Sequence, residues 1–153
     1  MAKLAEVLCI EVLRLYMNER SDGRTGWLAG VGDRIVGPAL NALHTRSAHA
    51  WTVEELAHSA GTSRSVLAER FQHLVGSSPM QYLTQWRMLL AANLLCRSNA
   101  PLARIAEDVG YQTDTAFSRA FRREYGSPPS AWRRSQLARG QDRPVNLQES
   151  LSL

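Results

Sequence analysis

Thr113, Asp114, Thr115, Ser118, Arg119, Arg122 and Arg123 fall within eleven consecutive positions of this chain. On a helical wheel they lie opposite Phe117 and Phe121, so a helix here would have a basic, hydroxyl-bearing outer face. Arginine presents a rigid fork of donors that suits phosphate oxygens and the O6/N7 edge of guanine. From Thr113 to Arg134 five arginines stand against Asp114 and Glu124, a local balance of +3. The arrangement points to a polyanion, with Arg119 placed for a bidentate base contact and Arg122 and Arg123 for the backbone. The competing reading is a merely solvated face, since a run of charge needs no ligand. Fifty positions earlier a second set recurs: Arg64, Ser65, Ala68, Glu69 and Gln72, flanked by His73. From Thr52 to Gly76 two arginines face three glutamates, which leaves little non-specific pull. Glu69 either accepts from a cytosine amino group or weakens contact with phosphates. The division of labour expected is discrimination from the first set and electrostatic affinity from the second.

Other chemistry is poorly supported. His44, His49, His58 and His73 lack the spacing of a zinc site, so no metal is expected. Gly30-Val-Gly32 follows no strand pattern and is not read as a nucleotide loop. No Ser/His/Asp set or carboxylate pair appears in a pocket-forming context, so neither catalysis nor a cofactor is expected. Cys9 and Cys96 lie 87 positions apart in apolar runs, which suits buried thiols of a reducing cytosol better than a disulfide framework. Trp27, Trp51, Trp86 and Trp132 fall in apolar stripes or at element ends and are expected in the core.

The elements that would position the two sets repeat. Glu55-Leu-Ala-His-Ser-Ala-Gly61 answers Arg104-Ile-Ala-Glu-Asp-Val-Gly110 at an offset of 49, and beyond the turn the offset becomes 50. There Leu67 and Phe71 match Phe117 and Phe121, Gly76 matches Gly126, Ser78-Pro79 matches Pro128-Pro129, and Tyr82 matches Trp132. One residue inserted in the second turn accounts for the change. Each copy reads as a short apolar helix, a glycine break and a second helix, the outline of a helix-turn-helix. Thr52, Ser63 and Thr113 stand where N-caps belong. The first copy is expected to bury Leu56, Ala57, Val66, Leu67, Phe71 and Leu74. The second is expected to bury Leu102, Ile105, Ala106, Val109, Ala116, Phe117, Ala120 and Phe121.

Pro79 to Cys96 reads as one long helix between the copies, roughly 27 Å from end to end. A rod of that size, with the helices at its ends, suits two recognition helices set one turn of B-DNA apart, about 34 Å. Upstream, Lys3 to Glu19 is helical by pattern, with one polar stripe and an apolar remainder too wide to leave in water. It calls for a second copy or for a further domain, and self-association through residues 1–20 is expected. Ser21 to Gly26 reads as a turn. A helix then runs to about His44, capped by Asp33 or begun at Pro38 after the Gly37-Pro38 interruption. After Arg134 the pattern ends, so 135–153 is expected to be a loose tail. Glu6, Glu11 and Arg14 break the only candidate signal or membrane segment, so a cytoplasmic protein is expected. The 153 residues, 44% apolar, are enough for a real core, and the net charge of +4 admits a polyanion without requiring one. Seventeen of the eighteen basic residues are arginine.

The double unit resembles the DNA-binding region of the AraC/XylS family of bacterial transcription regulators. The likeness is carried by Trp51-Thr-Val-Glu-Glu-Leu-Ala57, Ser63-Arg-Ser-Val-Leu67, Gly76-Ser-Ser-Pro-Met-Gln-Tyr82, Trp86-Arg-Met88, Ile105-Ala-Glu-Asp-Val-Gly-Tyr111, Phe117-Ser-Arg-Ala-Phe-Arg-Arg123 and Gly126-Ser-Pro-Pro129. It covers roughly Asp33 to Arg134, and the second half is the more diagnostic. The resemblance implies an all-α fold with two helix-turn-helix units, about 52–76 and 101–126, joined by the linker helix 79–96, plus N-terminal helices in 1–32. It implies double-stranded promoter DNA and RNA polymerase as partners. The run Met80-Gln-Tyr-Leu-Thr-Gln-Trp-Arg-Met88 is similar to the branch that carries a cupin-type sensory domain upstream. That domain is not in these residues, and Met1 to Arg20 looks like the helix that follows it, so the chain is a fragment or a short stand-alone member. Two rival readings compete with this one. One is a helical protein-interaction module with weak DNA binding. The other is a DNA-repair methyl acceptor, whose four-thiolate zinc site two cysteines cannot build.

Overall fold

A computed structural model of the chain describes residues 30–141. Seven helices occupy them, with no strand among the described residues: α1 Val36–Thr45, α2 Val53–Ser59, α3 Arg64–Val75, α4 Pro79–Arg97, α5 Leu102–Asp108, α6 Asp114–Tyr125 and α7 Pro129–Gln141. The fold is all-α, with two helix-turn-helix units built on α2–α3 and α5–α6. The chain divides after Leu83 into two compact units. The expected N-terminal helix Lys3 to Glu19, the turn at Ser21 to Gly26, Cys9, Trp27 and the end of the tail lie outside the described residues.

In the first unit, Val36, Ala39, Leu40 and Leu43 line one stripe of α1 and meet Trp51, Leu56, Ala57, Leu67, Phe71 and Leu83 in one core. Their spacing is that of a helix with one buried face. The start of α1 resolves the two alternatives left by the sequence. The Asp33 carboxylate accepts from the backbone N–H of Ile35 and of Val36, each at 2.9 Å. Gly37 and Pro38 therefore fall in the first turn, where proline's missing N–H costs nothing. Gly37 is required there: a Cβ would stand 2.6 Å from the Val31 carbonyl oxygen.

The second unit gathers Met88, Ala91, Ala92 and Leu95 of α4 with Ile105, Ala106, Val109, Phe117, Ala120 and Phe121. The repeat extends to single hydrogen bonds. In the turns, Thr62 N–H donates to the Ala57 carbonyl at 3.0 Å and Tyr111 N–H to the Ala106 carbonyl at 2.8 Å. Thr52, Ser63 and Thr113 accept from the backbone N–H three residues on, as cap chemistry predicts. Gly76 and Gly126 close α3 and α6 in the left-handed region, at φ +86° and +75°. Phe71 meets Tyr82 edge-on at 5.7 Å and 71°, and Phe121 meets Trp132 at 5.6 Å and 76°. The match between Tyr82 and Trp132 is thus a shared packing position.

Four expectations are corrected. Val66, 43% exposed, and Ala116 do not enter the cores. Each precedes the buried Leu67 or Phe117 by one residue, about 100° round the helix. Leu74 and Leu102 are only partly buried, at the edges of their clusters. Cys96 is exposed rather than buried, because it lies one residue past Leu95 and off the stripe that α4 turns inward. Partial shielding still pushes its thiol up, so it stays protonated at neutral pH. Finally, α7 runs on to Gln141, past Arg134 where the apolar pattern ends. Its first turn is anchored by Trp132, and once nucleated a helix propagates through Arg, Gln, Leu and Ala at little cost.

Candidate nucleic-acid interface

The outer faces of α3 and α6 bring the predicted residues to the surface. On α3, Arg64, Ser65, Glu69 and Gln72 are exposed and Ala68 is half-buried. On α6, Asp114, Thr115, Arg119, Arg122 and Arg123 are exposed and Ser118 is half-buried. Both helices are positioned from behind, by Leu67 and Phe71 in one unit and by Phe117, Ala120 and Phe121 in the other. A helix anchored by such buried side chains cannot roll without opening a cavity.

Asp114, Thr115, Ser118, Arg119 and Arg122 line one shallow groove together with Pro128. Pro128 was not among the predicted residues, although the Gly126-Ser-Pro-Pro129 run marks the sharp turn that delivers it. Arg123 and Thr113 lie apart from the groove. Arg123 follows Arg119 by one turn, about 40° further round. Its charge reaches Tyr111, where with Arg87 it opposes the rise in phenol pKa that burial causes. The Thr113 hydroxyl accepts from Ala116 N–H at 3.1 Å, so its lone pair serves the helix. Tyr125, packed on Phe121 and Trp132, is pushed up to about 12 by burial and stays a neutral phenol.

The two faces differ in charge at matching positions. Glu69 stands opposite Arg119 in the repeat, Gln72 opposite Arg122 and His73 opposite Arg123. In the first unit both arginines of the α2–α3 segment are engaged: Arg64 pairs with Glu54 at 2.7 Å and Arg70 with Asp33 at 2.7 Å. Arg119, Arg122 and Arg123 form no ion pair among the described residues. The α6 face is therefore strongly basic, whereas the α3 face is neutral to acidic. The Asp33–Arg70 contact was missed in the sequence, where neither residue has a local signal for the other.

Residues 56–135 match a helix-turn-helix domain family model. An AraC-like transcription regulator of Streptomyces antibioticus is 49% identical over 131 residues, and one of Streptomyces lividans 47% identical over the same length. Each alignment covers 86% of this chain and 43% of the relative. The DNA-binding domain of AdpA, solved with a target DNA, superposes with a TM-score of 0.66 at 33% identity, covering 73% of this chain and all of that one. The C-terminal domain of the Geobacillus stearothermophilus response regulator AraT gives a TM-score of 0.63 at 30% identity, covering 69% of this chain and 87% of the other.

This chain belongs to the AraC family.

The matched AraC-type segment begins at Leu56 and so contains α3 and α6 with their exposed faces, while α1 and Asp33 precede it. This AraC-family chain spans less than half the length of its Streptomyces relatives. Among the described residues no helix is long and apolar enough to cross a membrane, and no group of three His, Cys, Asp or Glu is placed to hold a metal.

Proposed function

We propose that the protein is a sequence-specific DNA-binding transcription regulator that reads promoter duplex with α3 and α6 in neighbouring stretches of major groove. The observation that carries this reading is the duplication of one helix pair with two solvent-facing polar faces, one of which holds three arginines without ion pairs among the described residues. Arg119 is assigned to a guanine edge, Arg122 and Arg123 to phosphates, and Thr115, Ser118 and Asp114 to the rim of the same contact. In the first unit, Glu69 is assigned to a cytosine amino group and Gln72 to an adenine edge, with Ser65, Ala68 and Arg64 beside them. The first unit supplies discrimination and the second most of the electrostatic affinity. RNA polymerase is the proposed protein partner, residues 1–20 the proposed self-association segment, and the cytoplasm the proposed site of action. No catalytic step or cofactor is assigned.

Selection of bound duplexes from a random pool by the full chain, followed by fluorescence anisotropy at several salt concentrations, tests the proposal. The expected product has two preferred stretches about one helical turn apart, and affinity that falls steeply with salt. Weak binding with no base preference and no salt dependence would leave the protein-interaction module as the better account.

A further inference from the structure

Asp33 ties two helices together with one carboxylate. Its Oδ1 accepts from the N–H groups of Ile35 and Val36 at the start of α1. Arg70, 37 positions later in α3, donates Nε to both carboxylate oxygens at 3.0 and 2.9 Å, and Nη2 to Oδ2 at 2.7 Å. The Asp33 side chain is only 9% exposed. A near-buried carboxylate that accepts five hydrogen bonds from four donors, two of them on one planar fork, is fixed in direction as well as distance.

The need for such a tie is visible around α3. On this side the helix borders an open groove lined by Asp33, Val66, Glu69, Arg70, His73 and Leu74 instead of a packed core. Asp33 and Arg70 meet among its lining residues. In the second unit the matching position is Ala120, 5% exposed and inside the core, so α6 is held there by packing. The reading faces differ in the same sense. Arg122 and Arg123 on α6 are assigned to phosphates, which tolerate small displacements, whereas both residues assigned to bases on α3, Glu69 and Gln72, read through directional hydrogen bonds that tolerate about 0.5 Å of error.

We propose that Asp33 and Arg70 are positioning residues for base reading by α3: they clamp this recognition helix to α1 and do not themselves contact DNA. Sequence discrimination by the first unit thereby depends on a residue that precedes the segment matched by the family model. The proposal rests on the DNA-reading function above.

The test uses the full chain and three variants, Asp33→Asn, Arg70→Met and Arg70→Lys, each passed through selection from the same random duplex pool and then titrated with salt on the duplex selected by the wild type. Glu69→Ala and Gln72→Ala identify the stretch read by α3. Expected is a loss on the order of tenfold in base preference, the size of one lost base contact, confined to that stretch, with the salt slope unchanged. Arg70→Lys should behave like Arg70→Met, because it keeps the charge and loses the fork. Preferences unchanged in both Asp33→Asn and Arg70→Met would overturn the clamp. So would equal erosion of both stretches, which signals general unfolding, or a salt slope smaller by about one in Arg70→Met, which makes Arg70 a phosphate contact. A wild type that selects no sequence at all defeats the DNA-reading function itself, and the clamp with it.

Discussion

At the scale of the residue, the same backbone position carries opposite chemistry in the two units. Arg119 and Arg122 occupy positions filled by Glu69 and Gln72 in the other copy, so their removal should act on different observables. Arg122→Ala combined with Arg123→Ala should reduce the magnitude of the salt slope by about two, because each lost phosphate contact contributes about 0.9, whereas Arg119→Ala should relax base preference. Glu69→Arg should increase it by about one while blurring base preference; anisotropy across a salt series measures both. Asp33 makes a second prediction at this scale. The Arg70 guanidinium, with the Val36 and Ile35 amides, holds its carboxyl well below the usual range. A carboxylate with a lowered folded pKa stabilises the fold fully above its unfolded pKa, and that contribution is lost as pH falls through the folded value. The melting-temperature gap between wild type and Asp33→Asn should therefore be constant from about pH 5 to 7 and close progressively below about pH 4.

At the scale of the element, glycine and aromatic positions decide where the helices start and stop. Gly126→Ala puts a side chain into left-handed backbone and should cost about 1–2 kcal/mol. Gly37→Ala should cost more than an ordinary helix substitution gains, because its Cβ meets a backbone carbonyl that cannot swing aside. Phe121→Ala removes a ring that touches Phe117, Tyr125 and Trp132 and should destabilise the second unit by about 3–5 kcal/mol. Because Phe121 belongs to a core distinct from that of Phe71, amide exchange should lose protection in α5, α6 and α7 before it does in α1, α2 and α3. Much at this scale was legible in advance. The caps at Thr52, Ser63 and Thr113, the glycine stops and the long helix from Pro79 are local signals, each decided within a few residues. The end of α7 was not, since the helix outlasts the apolar pattern that announces it.

At the scale of the whole molecule, two cores and two exposed polar faces come from one duplicated unit, and the copies have diverged in charge while keeping their packing. The proposed regulator needs both faces. A variant lacking charge on α6 should bind any duplex weakly, whereas one altered on α3 should bind at near-normal strength with poorer selectivity. Self-association through residues 1–20 belongs at this scale as well. Sedimentation of the full chain over a wide concentration range should show a mass that rises with concentration, and a constant monomer would remove the proposal.

The sequence by itself determined the helices, the repeat, the caps and the outward position of the arginines, because periodicity and cap chemistry act over three or four residues. Tertiary structure decided what no local pattern carries. It brought Pro128 to the groove on α6, left Cys96, Val66 and Ala116 outside the cores, and joined Asp33 to Arg70 across 37 positions. The physical reason is that a helical wheel gives the direction of a side chain but not what stands in front of it. An arginine that reads as a free surface charge can be engaged by a carboxylate 37 positions away in the chain.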